Sequence, residues 1–162
     1  MSEFLGRLSW RDGRILDGDI RYLMLRADVL MDVFRRLTPS AREEAFEAFA
    51  RSVRDGGRRS AERYRKLGAG DAERLLATIE STAPQLGWGL WSFAVDDGGW
   101  DLGVVDSPFA AAYGCAEAPV CAPIRGMLLA LADLLLGGRA EVREVACVAV
   151  GAETCRFRVV QS

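Results

Sequence analysis

The stretch WGLWSFAVDDGGWDLGVV, residues 88–105, constrains the fold more than any other, because its hydrophobicity alternates every two residues on both sides of one turn. Asp97-Gly98 is a strong signal for a two-residue hairpin loop. Pairing centred on it sets Val95 opposite Trp100, Phe93 opposite Leu102 and Trp91 opposite Val104. Strand side chains alternate, so all six share one face. The other face carries Trp88, Leu90, Ser92 and Ala94 against Asp101, Gly103 and Val105, apolar at one end and mixed at the other. A sheet with one apolar face requires a cover, and the rest of the chain has to supply it.

Helical spacing does so on both sides of the hairpin. After a short strand or turn around Ile15 and Leu16, Leu30, Val33, Phe34 and Leu37 form one helical face. In TPSAREEAFEAFARSV, Pro39 suits a first turn, Ser40 with Glu43 fits a capping box, and Ala45, Phe46, Phe49 and Val53 make a stripe. Gly56 and Gly57 are read as a turn that ends or bends this helix, after which Ala61, Tyr64 and Leu67 resume the spacing. Asp71 is placed to cap a further helix before Pro84. SPFAAAYGCAEAPV reads as a connection of small residues. It leads into an apolar helix from about Pro119 to Leu136, stopped by Gly137 and Gly138. Two strands, AEVREVACVAV and TCRFRVV, follow and join through Gly151. Helices, hairpin, helix, hairpin predict an α+β fold with helices packed on an antiparallel sheet, and 162 residues fit one domain spanning 1–162.

Charge narrows the partners. Lys+Arg number 21 against 23 Asp+Glu, so no basic excess is available to hold a polyanion, and nucleic acid is not expected as a partner. The longest apolar run, PIRGMLLALADLLLGG, contains Arg125 and Asp133 and falls short of the ~20 residues that span a bilayer. The N-terminal residues lack the apolar core and cleavage site of a secretory signal, so a cytoplasmic protein without a membrane span is expected.

The last hairpin concentrates unusual chemistry in a chain with no histidine. A tight turn centred on Gly151 makes Cys147 and Cys155 cross-strand neighbours, with Cβ atoms ~5 Å apart. Two thiolates at that separation can share a metal, form a disulfide, or pack as small core residues, and spacing leaves all three open. Glu144 stands three residues before Cys147, which in a regular strand puts the two on opposite faces. Convergence requires a bulge or bend near Val145 and Ala146. Cys121, at the start of the apolar helix, is placed to reach in, and Arg143, Arg156 or Arg125 to offset the negative charge.

The run PVCAPIRGMLLALADLLLGGRAEVREVACVAVGAETCRFRV resembles the C-terminal half of the 4-vinyl-reductase domain family. Pro119, Val120, Cys121, Gly126, Gly137, Val142, Glu144, Cys147, Gly151, Cys155 and Phe157 fall in register with the pattern P-V-C, a helix with an early glycine, G-x-x-V, E-x-x-C and G-x-x-x-C-x-F. SPFAAAYG matches a common lead-in, and RYLMLRADVLMDVFRRL is similar to the N-terminal part of the sensory domains of phenol- and xylene-responsive activators. The resemblance implies an α+β fold related to TRAPP subunits and a homodimer. It also implies a structural zinc on Cys121, Glu144, Cys147 and Cys155, in a metal-binding part covering about 115–160. Cys115 has no required counterpart.

Relatives bind small molecules in an apolar pocket between helices and sheet, which makes Trp91, Phe93 and Trp100 the expected pocket residues. Phenolic sensors hold the ligand with a histidine and a tryptophan; Trp100 falls where the tryptophan is expected, and the histidine is missing. The leading expectation is a stand-alone zinc-stapled module that senses or delivers an apolar or aromatic molecule, passing its output to a separate regulator. An accessory or carrier protein in (bacterio)chlorophyll or tetrapyrrole synthesis and a TRAPP-like scaffold subunit are the alternatives. GAGDAE lacks the third glycine and preceding strand of a dinucleotide fingerprint, which argues against autonomous reduction.

Overall fold

The computed structural model describes residues 4–66, 68–138 and 140–161; Leu67, expected on a helical face, lies outside them. A short helix α1 (Phe4–Arg7) leads into a three-stranded meander of β1 (Ser9–Arg11), β2 (Arg14–Asp17) and β3 (Ile20–Tyr22). Helices α2 (Ala27–Arg35), α3 (Pro39–Lys66) and α4 (Ala72–Thr82) follow, then strands β4 (Leu90–Asp96) and β5 (Gly99–Val105). Helices α5 (Pro108–Tyr113) and α6 (Ala122–Leu135) precede β6 (Ala140–Ala146) and β7 (Cys155–Gln161). The last four strands form one antiparallel sheet in the order β4-β5-β7-β6.

The hairpin is built in the expected register: Trp91 pairs with Val104, Phe93 with Leu102 and Val95 with Trp100. Its turn works by other means than a left-handed Asp-Gly pair, since neither Asp97 nor Gly98 has a positive φ. The Asp96 carboxylate instead accepts from the Gly98 amide at 2.8 Å, and Arg158 on β7 donates to Asp96 and Asp101 at 2.6 and 3.1 Å. Gly99, at φ 150°, runs so close to the Val159 carbonyl that any Cβ would overlap it. The left-handed Asp-Gly turn lies elsewhere, at Asp12 (φ 50°) and Gly13 (φ 72°), joining β1 to β2. Sequence reading caught only Ile15 and Leu16 of that meander.

One face of the four-stranded sheet carries the core. Trp91, Trp100, Leu102, Val104, Val142, Phe157 and Val159 are buried there, alternating with exposed or half-buried neighbours. Helix α6 contributes the fully buried Ile124, Leu128 and Leu131, and α3 crosses it closely. At Gly126 a Cβ would collide with the Ala50 carbonyl oxygen, so a side chain there would force the two helices apart.

The same crossing corrects the reading of Gly56 and Gly57 as a helix end: α3 runs unbroken from Pro39 to Lys66. At Gly57 a Cβ would stand 2.7 Å from Met127 Sδ, so packing against α6 explains that glycine better than a turn. Other expectations shift by local chemistry. Helix α3 is capped by Thr38, whose Oγ1 accepts from Ala41 at 3.4 Å, while Ser40 pairs with Glu44 at 3.3 Å and forms no capping box. On α2 the inward residues are Met31 and Phe34, and Val33 is exposed. Asp71 caps α4 as expected, accepting from Arg74 at 2.8 Å. Within the expected connection of small residues, Ser107 caps α5.

Two glycines of this interface should respond oppositely to alanine. Gly126→Ala should lose about 1–3 kcal/mol by overpacking, whereas Gly56→Ala, whose Cβ meets nothing within 4 Å, should gain about 0.5–1 kcal/mol. Urea unfolding of both variants checks the pair.

Candidate metal centre

Four elements converge at the N-terminal end of α6. Cys121 is the residue that caps this helix, and Pro123 in the first turn fixes the backbone there. The carbonyl of Cys121 accepts from Ile124 and Arg125 at 3.0 and 3.2 Å, leaving its side chain to point back from the helix end. On the sheet, β6 pairs with β7 as Arg143↔Arg158 and Glu144↔Phe157, then slips so that Ala146 faces Arg156. The slip leaves Val145 as an extra, outward residue, 58% exposed. This bulge is the irregularity required between Glu144 and Cys147, and it brings both side chains to one face.

The turn beyond it is not the tight hairpin expected at Gly151. Val148–Val150 form a single 3-10 turn, Gly151 adopts a left-handed φ of 95°, and the amides of Val150 and Ala152 return to the Cys147 carbonyl at 3.1 and 3.2 Å. The wrapped turn directs the Val148 amide at the Cys155 sulfur, 3.4 Å away.

The sulfurs of Cys121, Cys147 and Cys155 stand 3.6–4.0 Å apart, and with a Glu144 oxygen all four ligand atoms lie within 4.8 Å of one another. All three thiols are buried and free, which removes the disulfide reading, since bonded sulfurs lie ~2 Å apart. A tetrahedral ion with metal–sulfur bonds of ~2.3 Å sets its sulfurs about 3.8 Å apart, so the spacing fits one. Glu144 gives a second sign. Its Oε2 accepts from the Cys121 amide at 3.1 Å, while its Oε1 is buried with no hydrogen-bond partner, an acceptor that a cation would satisfy.

The electrostatics of the cluster are those of buried acidic groups crowded together with too few counter-charges. Hydrogen bonding with Cys121, then with Cys147, favours the Cys155 thiolate, whereas hydrogen bonding with Cys147, then with Cys155, pushes the Cys121 thiol up. Burial, then the neighbouring Cys147, raises Glu144 to about 8.

The neutralising partners differ from the arginines expected. Arg143 pairs with Glu141 at 2.6 Å and Arg125 with Glu47, and among the described residues neither these nor Arg156 forms an ion pair with Glu144. Backbone and hydroxyl donors serve instead: the Cys121 and Val148 amides and the buried Ser107, whose Oγ lies 3.2 Å from Cys121 Sγ. Sequence reasoning missed Ser107; its place at the start of a proline-led helix was the available signal.

The aromatic residues expected to share a pocket share a sheet face but not a cavity. Trp91 borders a cavity of about 370 Å³ and Trp100 a different one of about 420 Å³; Phe93 lines neither and packs edge-on against Trp91 at 6.1 Å. The Trp91 Nε1 donates to the Trp88 carbonyl at 2.9 Å, whereas the buried Trp100 Nε1 has no partner among the described residues.

The fold is the α+β arrangement of 4-vinyl-reductase domains and TRAPP-like proteins. Residues 100–161 match the 4-vinyl-reductase domain family, the family whose pattern the C-terminal run resembles. The structure is similar to that of the phenol-responsive sensory domain of the transcription activator PoxR, solved with phenol, with 22% identity, TM-score 0.83 and coverage of 97% of this chain and 86% of that one. It is also similar to a vinyl-4-reductase family protein from Methanocaldococcus jannaschii (12% identity, TM-score 0.52, 87% and 98% of the chains). A third neighbour is trafficking protein particle complex subunit 3 from Naegleria fowleri, covalently bound to palmitic acid (11% identity, TM-score 0.58, 84% and 95%). No curated protein matches by sequence. Among the described residues no helix is long and apolar enough to cross a membrane.

Burial predicts thiol chemistry. Cys115 is exposed and the other three cysteines are buried, so a thiol reagent should modify one sulfur quickly in the native protein and all four only after unfolding. Two fast thiols would contradict this packing.

Proposed function

We propose that residues 1–162 act as one domain of the 4-vinyl-reductase type that binds an apolar or aromatic small molecule for sensing or delivery, stapled by zinc in its part from about 115 to 160. The observation that carries the ligand reading is Trp100. Its indole N–H is buried without a partner, and the ring borders a 420 Å³ cavity whose wall sets Leu76, Leu135 and Leu136 beside the acidic Glu73, Asp96 and Asp97. An unpaired buried donor costs about 1–3 kcal/mol, so a ligand oxygen that accepts from it binds with that much in its favour. Ala72 lines the same cavity, and with no histidine in the chain the indole is the anchor on which the reading rests. The PoxR domain was solved with phenol and the Naegleria subunit with palmitic acid, so related folds hold apolar molecules. Open cavities beside both tryptophans favour a binding module over a scaffold with a collapsed aromatic face.

Zinc on Cys121, Glu144, Cys147 and Cys155 would fill a four-ligand shell, leaving no open position for substrate, and would act by joining α6 to both final strands. A homodimer that passes its state to a separate regulator is the corresponding output.

Metal analysis of protein purified without chelator should find about one zinc per chain. Cys147→Ser should lower the melting temperature by roughly 6–12 °C, the shift for a loss of about 3 kcal/mol in a domain of this size. A variant that folds and melts like the parent contradicts the staple. Trp100→Phe should weaken 4-ethylphenol binding about 5–10-fold, the loss of one hydrogen bond, and leave ethylbenzene unchanged in calorimetric titration. Equal effects on both would refute the indole anchor.

A further inference from the structure

The cavity beside Trp91 differs in kind from the one beside Trp100. It lies between α3, α4 and α6, and its 370 Å³ falls within the ~300–1,000 Å³ of ordinary small-molecule sites. Gly56 borders it, and a Cβ built there meets no atom within 4 Å, in contrast to Gly57 next to it. Helix packing therefore accounts for one glycine of the pair, and open space is what the other leaves.

Among the described residues, no charged side chain lines the cavity. Its walls include Ile79, Trp88, Trp91 and Met127, and its polar groups are the hydroxyls of Tyr22, Ser60, Tyr64 and Thr82. Thr82 Oγ1 is committed to the Thr78 carbonyl at 2.7 Å. Burial above all holds both tyrosines in their neutral form, pushing Tyr22 up to about 12. Ser60, half-buried, has no hydrogen-bond partner among the described residues. Tyr22 and Leu23 close the cavity from the N-terminal meander, which Arg63 ties to α3 through Asp17 at 3.2 Å.

We propose that this cleft is a second small-molecule site, for a neutral, largely aromatic ligand with one hydroxyl or carbonyl group that hydrogen-bonds Ser60. An ionised ligand would be desolvated there without a counter-charge, at a cost that burial of its ring does not offset. The proposal goes beyond the Trp100 reading and stands without it.

The test uses the full chain carrying 13C-methyl methionine, with the Met127 ε-methyl signal assigned by Met127→Leu. 1-Naphthol should shift that signal saturably, and 1-naphthoate, charged at neutral pH, should not. Gly56→Leu should fold with an unfolding midpoint at or above the parent's and raise the 1-naphthol Kd at least tenfold. Ser60→Ala should raise it about fivefold and leave naphthalene unaffected. Trp100→Phe should leave the Met127 shift intact, so failure of either site reports on its own residue. No Met127 shift with 1-naphthol, an equal shift with 1-naphthoate, or undiminished binding by folded Gly56→Leu would overturn the proposal. Should Gly56→Leu fail to fold, the two ligand titrations of the parent protein decide.

Discussion

The convergence of three sulfurs and one carboxylate at the start of α6 is the constraint on which the rest of the structure depends. It ties together elements far apart in sequence: Cys121 lies 26 residues before Cys147 and 34 before Cys155. Closing such loops costs chain entropy, and a cluster of polarisable, poorly neutralised groups would not repay it unaided. The surroundings are arranged accordingly. A bulge turns Glu144 inward, a 3-10 turn aims an amide at Cys155, and a helix N-terminus lends its positive end to Cys121.

From this anchor the core is built outward in one direction. Helix α6 leaves the cluster with Ile124, Leu128 and Leu131 against the sheet and Gly126 against α3. Close contact at Gly126 brings α3 near, and further along the crossing Met127 occupies the space that Gly57 leaves. Two of the cavities lie where this packing loosens, one beside Gly56 and one near the C-terminal end of α6.

What could be read in the sequence was what depends on period and parity. Alternation around Asp97-Gly98 gave the pairings of β4 with β5, and the odd offset from Glu144 to Cys147 demanded the bulge at Val145. What could not be read depends on neighbours distant in sequence. Gly56 and Gly57 carry the local signature of a break, yet α3 runs through both, and only the approach of α6 accounts for Gly57. The arginines beside the cluster in sequence are claimed by Glu141 and Glu47, while a serine from another loop takes the place beside the sulfur. Asp12-Gly13 is the same dipeptide as at the later hairpin, but its flanking strands, three and four residues long, are too short for alternation to show. The two tryptophans share a face by parity, but the walls that divide their cavities come from α3, α4 and α6, which strand alternation does not locate.

Helix α6 is held very differently at its two ends. Its first residue is gripped by the sulfur cluster and the Glu144 carboxylate, whereas its last turn runs out at Leu136 into left-handed Gly137 and Gly138, about 21 Å away by helical rise. Mechanically it is a rod with a different joint at each end, the cysteine–glutamate cluster at its start and a two-pronged ion pair from Asp133 to Arg54 of α3 near its finish. Leu135 and Leu136, which border the Trp100 cavity, sit just beyond that second joint. The cluster and the Trp100 cavity thus stand at opposite ends of one rod, a full helix length apart.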